Sequence, residues 1–498
     1  MRWNVSNDRP AGIVLLGLGP GDPALLTLQA WKHLEQTNEV YLRTRHHPVV
    51  MGMPEGLIVH SFDELYERGE SFEEVYESII QKVLELGQRP EGVTYAVPGH
   101  PFIAEATAPE IARRARAMGI PVRVIEGISF IEPVCTALGM DPFPTMILTD
   151  ALELGGRHVP HFPPDQPVLV AQIYSRQVAS EVKLTLNAIY PDEHRVRLVH
   201  GAGTPAEQVE ELALYEIDRS EHIGLLTALY VPPLGQNLSL EGFQEVVAHL
   251  RAPDGCPWDK EQTMESLGPM LLEETYEVLE ALDGQDFAGV REELGDVLLL
   301  VTMLAQIGSE EGLFSMPEVI HGIHSKIVRR HPHVFGDVQV DDAAGVLRNW
   351  EKLKEEERHE NGDQAQKGIL DGISRALPAL TRAQEFQSRA AHVGFDWPHL
   401  EGVKEKVLEE WAEVSEAATP EEKEKELGDL LFAIVNLVRW YHLDAETVLR
   451  KANQRFYQRF RHIEQRAREQ NRSLGDLSME EMEAYWQEAK RLYSTGGG

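Results

Sequence analysis

An α/β domain followed by two all-α helical bundles is the multidomain architecture this sequence predicts, on three observations. Residues 11 to about 230 alternate short β-rich runs with amphipathic helical segments. Beyond about 240 the strand signals vanish and long Leu/Glu/Lys-rich patterns take over. Within that helical region the same cassette of carboxylates is written twice. Alternating strands and helices give a sheet covered by helices. Apolar residues recurring every three or four positions bury one face in a bundle. A chain of 498 residues is too long for one core and fits about three domains. The expected boundaries are 11–233, 240–354 and 368–490.

In chain order the candidate strands are GIVLLGLG, LIVHSF, VTYAVPG, PVRVIEG, TMILTD, VLVAQIYS, RVRLVHG and IGLLTALYV, with amphipathic helices such as Phe72 to Leu86 and Glu105 to Met118 between them. The first strand runs into Gly17, Gly19, Pro20, Gly21 and Asp22, a strand-to-helix turn whose glycines let a ligand approach the backbone. It is not the dinucleotide fingerprint, because Asp22 stands at the third glycine and Pro20 removes an N–H. Two more loops follow strands: Pro98, Gly99, His100, Pro101 and Phe102, then Gly127, Ser129 and Phe130. The α/β region is expected to end near Pro232 and Pro233. The charged stretch from Glu355 to Lys367 separates the helical copies, and the tail from Ser494 is expected to fray.

The first cassette has Glu273, Glu274 and Glu277, then Glu293 and Asp296; the second has Glu409, Glu410 and Glu413, then Glu426 and Asp429. On a helix, residues three or four apart share a face, so each cassette gathers like charges. Such carboxylates repel and their pKa values rise, unless a hard cation preferring oxygen ligands neutralises them. A single E-E-x-x-E run is usually a solvated helix face. Two copies, each paired with a downstream E-L-G-D, favour a magnesium site between two helices. Gly295 and Gly428 cost roughly 1 kcal/mol each inside a helix, which points to close approach of another backbone or a ligand. Glu280 and Glu416 extend the acidic faces.

With 47 Lys+Arg against 81 Asp+Glu the formal charge is −34, which argues against a nucleic-acid polymer as partner. The two cysteines, Cys135 and Cys256, fit a reducing cytoplasm rather than a disulfide framework. No stretch approaches a membrane span and no signal peptide is expected. The helical region nonetheless suits a phosphorylated substrate if cations mediate the contact.

The glycine loops, with Gly201, Gly203, Thr204 and the segment from Thr227 to Pro233, resemble the tetrapyrrole (corrin/porphyrin) methylase family over residues 11 to about 233. That resemblance implies S-adenosylmethionine in a cleft between two α/β halves, with Gly19, Pro20, Gly21, Gly99, His100, Ile103, Ser129 and Phe130 around it. His100 stands where the family usually has Asp. The helical region resembles the MazG nucleoside triphosphate pyrophosphohydrolases through the carboxylates and the segments from Cys256 to Thr263, Lys326 to Gly336 and Asn349 to Lys354. This implies hydrolysis of nucleoside triphosphates to monophosphate and pyrophosphate with Mg²⁺, Glu274, Glu277, Glu410 and Glu413 carrying the catalysis. The triphosphate would meet Trp258, Lys326, Arg329, Arg330, Trp350 and Lys354, and in the second copy Arg455 and Arg459. Trp258 and Trp397 precede their cassettes at similar distance and read more readily as packing than as base stackers. A homodimer is implied as well. The joint arrangement resembles the YabN type of fusion. The alternative is S-adenosylmethionine-dependent methyl transfer, with the helical copies as a dimerising or regulatory module.

Overall fold

The computed structural model describes residues 12–69, 71–340 and 368–494, with a few positions between 342 and 353. Lys354 and the stretch from Glu355 to Lys367 lie outside the described residues. Contacts divide the chain into two compact units, one reaching Lys260 and the other starting at Glu261.

The first unit holds strands β1 (Ile13–Gly17), β2 (Glu39–Leu42), β3 (Ile58–Ser61), β4 (Val93–Val97), β5 (Val122–Ile125), β6 (Ile147–Asp150), β7 (Val168–Ala171), β8 (Arg195–His200), β9 (Gln208–Ala213) and β10 (Thr227–Val231). Its helices are α1 (Leu28–Gln36), α2 (Asp63–Arg68), α3 (Phe72–Gly87), α4 (Thr107–Ala117), α5 (Ile131–Leu138), α6 (Ala151–Gly155), α7 (Arg176–Leu186) and α8 (Leu240–Arg251). A short α9 (Pro257–Glu261) spans the division. The strands form two five-stranded sheets, in the orders β3-β2-β4-β1-β5 and β6-β7-β10-β8-β9. All pairings in the first sheet are parallel. In the second only β6 and β7 run parallel.

The near-continuous apolar run of β1 follows from burial on both faces. Ile13 and Leu15 pack with Ile79 and Val83 of α3 and Ile111 of α4, while Leu16 turns to Leu34 of α1. In the second sheet Val170, Leu198 and Leu229 pack with Val178, Val182 and Leu186 of α7. Two strands were not among those expected: β2, only four residues with a charged start, and β9, an edge strand whose first four residues are largely exposed. Helix α8 belongs with this unit. Ser239, which caps it, donates to Asp165 at 2.6 Å, and Val247 is fully buried.

The second unit contains α10 (Met264–Asp283), α11 (Phe287–Glu310), α12 (Met316–Arg330), α13 (Pro332–Phe335), α14 (Ala379–His392), α15 (Leu400–Glu416), α16 (Pro420–Trp440), α17 (Ala445–Glu469) and α18 (Met479–Ser494). Its long helices have defined starts: Thr263 caps α10, Asp286 caps α11, Thr419 caps α16 and Asp444 caps α17, each accepting from a first-turn N–H. Helices α10 and α11 pair, as do α15 and α16, so each cassette lies on one hairpin. Asp283, at the end of α10, binds Arg450 of α17 at 2.5 Å and ties the two copies together. Among the described residues no strand follows Val231 and no helix is long and apolar enough to cross a membrane.

Candidate functional site

Glu274 and Glu277 lie one turn apart on α10, and Glu293 reaches them from α11. One oxygen from each lies within 4.8 Å of the others. Burial raises the Glu274 carboxyl above its usual range, and the charges of Glu277, Asp296 and Glu273 push the same way. Glu293 is raised too, first by burial and then by Glu277, Glu292, Asp296 and Glu274. This is the signature of like charges gathered with no counter-ion among the described residues.

The second cluster joins Glu410 of α15 to Glu426 and Asp429 of α16, again within 4.8 Å. Here the chain brings its own cations. Lys406 Nζ lies 2.7 Å from Glu410 and 2.9 Å from Glu409, and Lys425 Nζ lies 2.8 Å from Glu426 and 3.6 Å from Asp429. A hydrogen bond with Glu426 raises the Glu413 carboxyl, while Lys425 first of all lowers that of Glu426. Even so, Glu410 Oε2 and Glu426 Oε2 are buried with no hydrogen-bond partner among the described residues. Buried carboxylate oxygens left over in this way are what an oxygen-seeking divalent cation satisfies. In the first copy Met270 and Glu292 stand where these lysines stand.

Six of the ten expected ligands thus converge. Asp296 acts on Glu274 and Glu293 through its charge, and Glu413 bonds to Glu426. Glu273 and Glu409 are exposed, so the inner member of each Glu-Glu pair is the one facing the cluster. Gly295 and Gly428 have open space where a Cβ would project, so no other backbone among the described residues approaches them.

The basic residues separate by burial. Lys326, Arg329 and Arg455 are exposed, whereas Arg330 is buried, its guanidinium 5.2 Å from the Trp350 ring. The second copy repeats this with Arg459, 5.5 Å from Trp486, and Arg459 Nε is buried without a partner. Sequence reasoning missed Trp486 because it lies on α18, well downstream of its arginine. Trp397 packs on Gly402 in the first turn of α15, and Trp258, more than half exposed, belongs to the first unit.

In the first unit a cavity of about 540 Å³ opens between the two sheet halves. Gly19, Pro20, Gly99, Ile103 and Phe130 line it; Gly21, His100 and Ser129 do not. Gly21 instead meets the other half, since a Cβ there would stand 2.5 Å from Thr204. His100 Nδ1 accepts from the Phe102 N–H at 3.1 Å, and buried Ser129 donates to Glu132 and accepts from the Ile131 N–H. The loops can approach so closely because Gly17 and Gly127 face each other; a Cβ on Gly17 would lie 2.5 Å from the Gly127 nitrogen.

The Tetrapyrrole (Corrin/Porphyrin) Methylases model matches residues 12–218, and the MazG nucleotide pyrophosphohydrolase domain matches 262–335 and 399–463. YabN of Bacillus subtilis is 40% identical over 492 residues, 96% of this chain and 98% of its own length. The chain belongs to the YabN family. This chain joins a methylase-type domain to two MazG matches, and the paired carboxylate hairpins are the structural form of that duplication. The helical region is also similar to the nucleoside triphosphate pyrophosphohydrolase of Escherichia coli, 46% identical over 49% of this chain and 95% of that one. MazG of Thermotoga maritima is 43% identical over 50% of this chain and 95% of its own length.

Proposed function

We propose that the helical unit of this YabN-family chain hydrolyses nucleoside triphosphates to monophosphate and pyrophosphate with magnesium. The observation that carries the reading is the pair of carboxylate clusters, the second with two buried, unpartnered oxygens. The MazG match and the named activity of the Escherichia coli relative support the same reaction class. Glu274, Glu277 and Glu293 would hold a cation in the first copy, and Glu410, Glu426 and Asp429 in the second. When bound, magnesium supplies Lewis acidity and an activated water. Glu277, through the oxygen not turned to the cation, and Glu413, both exposed, would take the proton of the attacking water. Arg330 and Arg459 hold the triphosphate oxygens and stabilise charge as the bond from the α phosphorus to the bridging oxygen breaks. Trp350 and Trp486 brace those guanidinium groups.

The test is pyrophosphate release from a mixture of triphosphates with and without Mg²⁺. Joint substitution Glu274→Gln and Glu410→Gln should lower the rate by at least roughly a hundredfold with the fold intact. Near-normal release in that variant rejects the assignment.

The helices that carry the clusters also expose Leu272, Leu294, Leu408, Leu427 and Leu431. Apolar faces on bundle helices are covered by other helices, so we read the working form as a homodimer, to be checked by light scattering.

The cleft of the first unit supports a second role, binding of S-adenosylmethionine. Gly19, Pro20, Gly99, Ile103 and Phe130 would form its seat, and calorimetry with S-adenosylhomocysteine tests it.

A further inference from the structure

The cavity of the first unit has a polar end that the cofactor reading leaves unused. Arg43 follows β2, at the carboxyl ends of the parallel strands where ligands of α/β sheets bind. Its Nη1 meets the buried Glu105 carboxylate, whose other oxygen is taken by the Thr107 N–H at 2.9 Å and by the Thr107 hydroxyl. Arg43 Nε has no partner among the described residues. Beside it, His47 is 4% exposed and neither of its ring nitrogens completes a hydrogen bond, although the Gly19 backbone lies near. The Tyr66 hydroxyl is also buried and unpartnered. All three side chains line the one cavity. Two non-glycine residues of its wall, Ala104 (φ 51°) and Gln172 (φ 66°), hold left-handed backbone, a strain that gathers at ligand sites.

These orphaned groups are mostly donors: a guanidinium N–H, one imidazole N–H and a phenol. What satisfies such a set is a compact group of acceptors with negative charge, a carboxylate. Tyr76 and Tyr174 add aromatic wall. Of the acids nearby, Asp63 accepts from the Arg45 N–H at 3.0 Å and Glu67 is exposed. A cavity of about 540 Å³ falls in the range of small-molecule sites. Once a cofactor fills some of it, the remainder takes a small molecule and not a macrocycle.

We propose that Arg43, His47 and Tyr66 seat a small carboxylate-bearing methyl acceptor beside S-adenosylmethionine, an inference that rests on the reading of the cleft as that cofactor's site. In the transfer the sulfur–methyl bond breaks with its electron pair returning to sulfur, leaving S-adenosylhomocysteine. A lone pair of the acceptor forms the new bond, and the acceptor's proton passes to solvent.

The experiment is calorimetry on the full chain with benzoate, its neutral counterpart benzamide, S-adenosylhomocysteine and a carboxylated porphyrin, benzoate being titrated with and without S-adenosylhomocysteine. Benzoate is expected to bind at least roughly tenfold more tightly than benzamide. Tyr66→Phe, and Arg43→Met combined with Glu105→Gln, should weaken benzoate by about tenfold and leave S-adenosylhomocysteine within about twofold. If the double variant does not fold, Tyr66→Phe decides alone. Equal binding of benzoate and benzamide, or no benzoate binding, overturns the proposal. Equal loss of S-adenosylhomocysteine assigns the seat to the cofactor's own carboxylate and overturns it too. A porphyrin bound more tightly than benzoate overturns the small-acceptor class. Benzoate binding without any S-adenosylhomocysteine binding sinks the cofactor reading and leaves the carboxylate seat standing.

Discussion

Lys406 and Lys425 make the two carboxylate clusters chemically unequal. Among the described residues no cation pairs with Glu274 or Glu293 in the first copy, whereas in the second each lysine lies within 2.8 Å of a cluster carboxylate. Lys425→Glu restores the residue the first copy has at that position, and it should tighten Mg²⁺ binding at the second cluster severalfold when titrated without nucleotide. Unchanged affinity would mean that the lysine does not compete with the cation. His47 offers a pH test. Burial and then the Arg43 charge hold its imidazole down to about 4, against 6.5 for an unperturbed ring. Above pH 6.5 it is neutral in both the folded and the unfolded chain. As pH falls from 6.5 to about 4 only the unfolded chain gains the proton, so the first unit should lose up to about 3 kcal/mol. His47→Asn should flatten that slope in urea unfolding at pH 7 and 4.5; an unchanged slope would place the acid sensitivity elsewhere. The carboxylates were legible in the sequence because they occur twice. The lysines were not, since a Lys four residues before a Glu reads as an ordinary helix pair.

Strands were legible where the sequence carries an apolar run, whatever their burial: β3 and β6 were expected without a fully buried residue, and β2 was missed with two. The strands β1, β4 and β10 are mostly apolar and were found, whereas β9 exposes most of its length and carries two acidic residues, so it shows no apolar run. The helical hairpins were readable from period and from the Thr and Asp residues at their starts. The meaning of Gly295 and Gly428 was not readable, because only the folded chain shows open space around both. Gly428→Ala should therefore stabilise α16 by about 1 kcal/mol in thermal unfolding. If it also lowers hydrolysis, the space is used by substrate or by a second copy of the chain. A destabilised helix would show instead that something already fills it.

At the scale of the whole molecule, composition and repeat structure told the order of an α/β region and two helical copies. They did not reveal that α8 closes the α/β unit, because Ser239 and Asp165 are 74 residues apart and their bond leaves no local pattern. Cutting after Lys260 should give two soluble fragments, the first more resistant to urea than one ending at Val231, from which α8 is missing. The fragment from Glu261 onward should hydrolyse triphosphates unaided. Activity that returns only on adding the first fragment would show a shared site. The bond between Asp283 and Arg450 spans 167 residues. On the ribosome the first copy therefore emerges with the end of its carboxylate helix unanchored, and that end is secured only after most of the second copy has been translated.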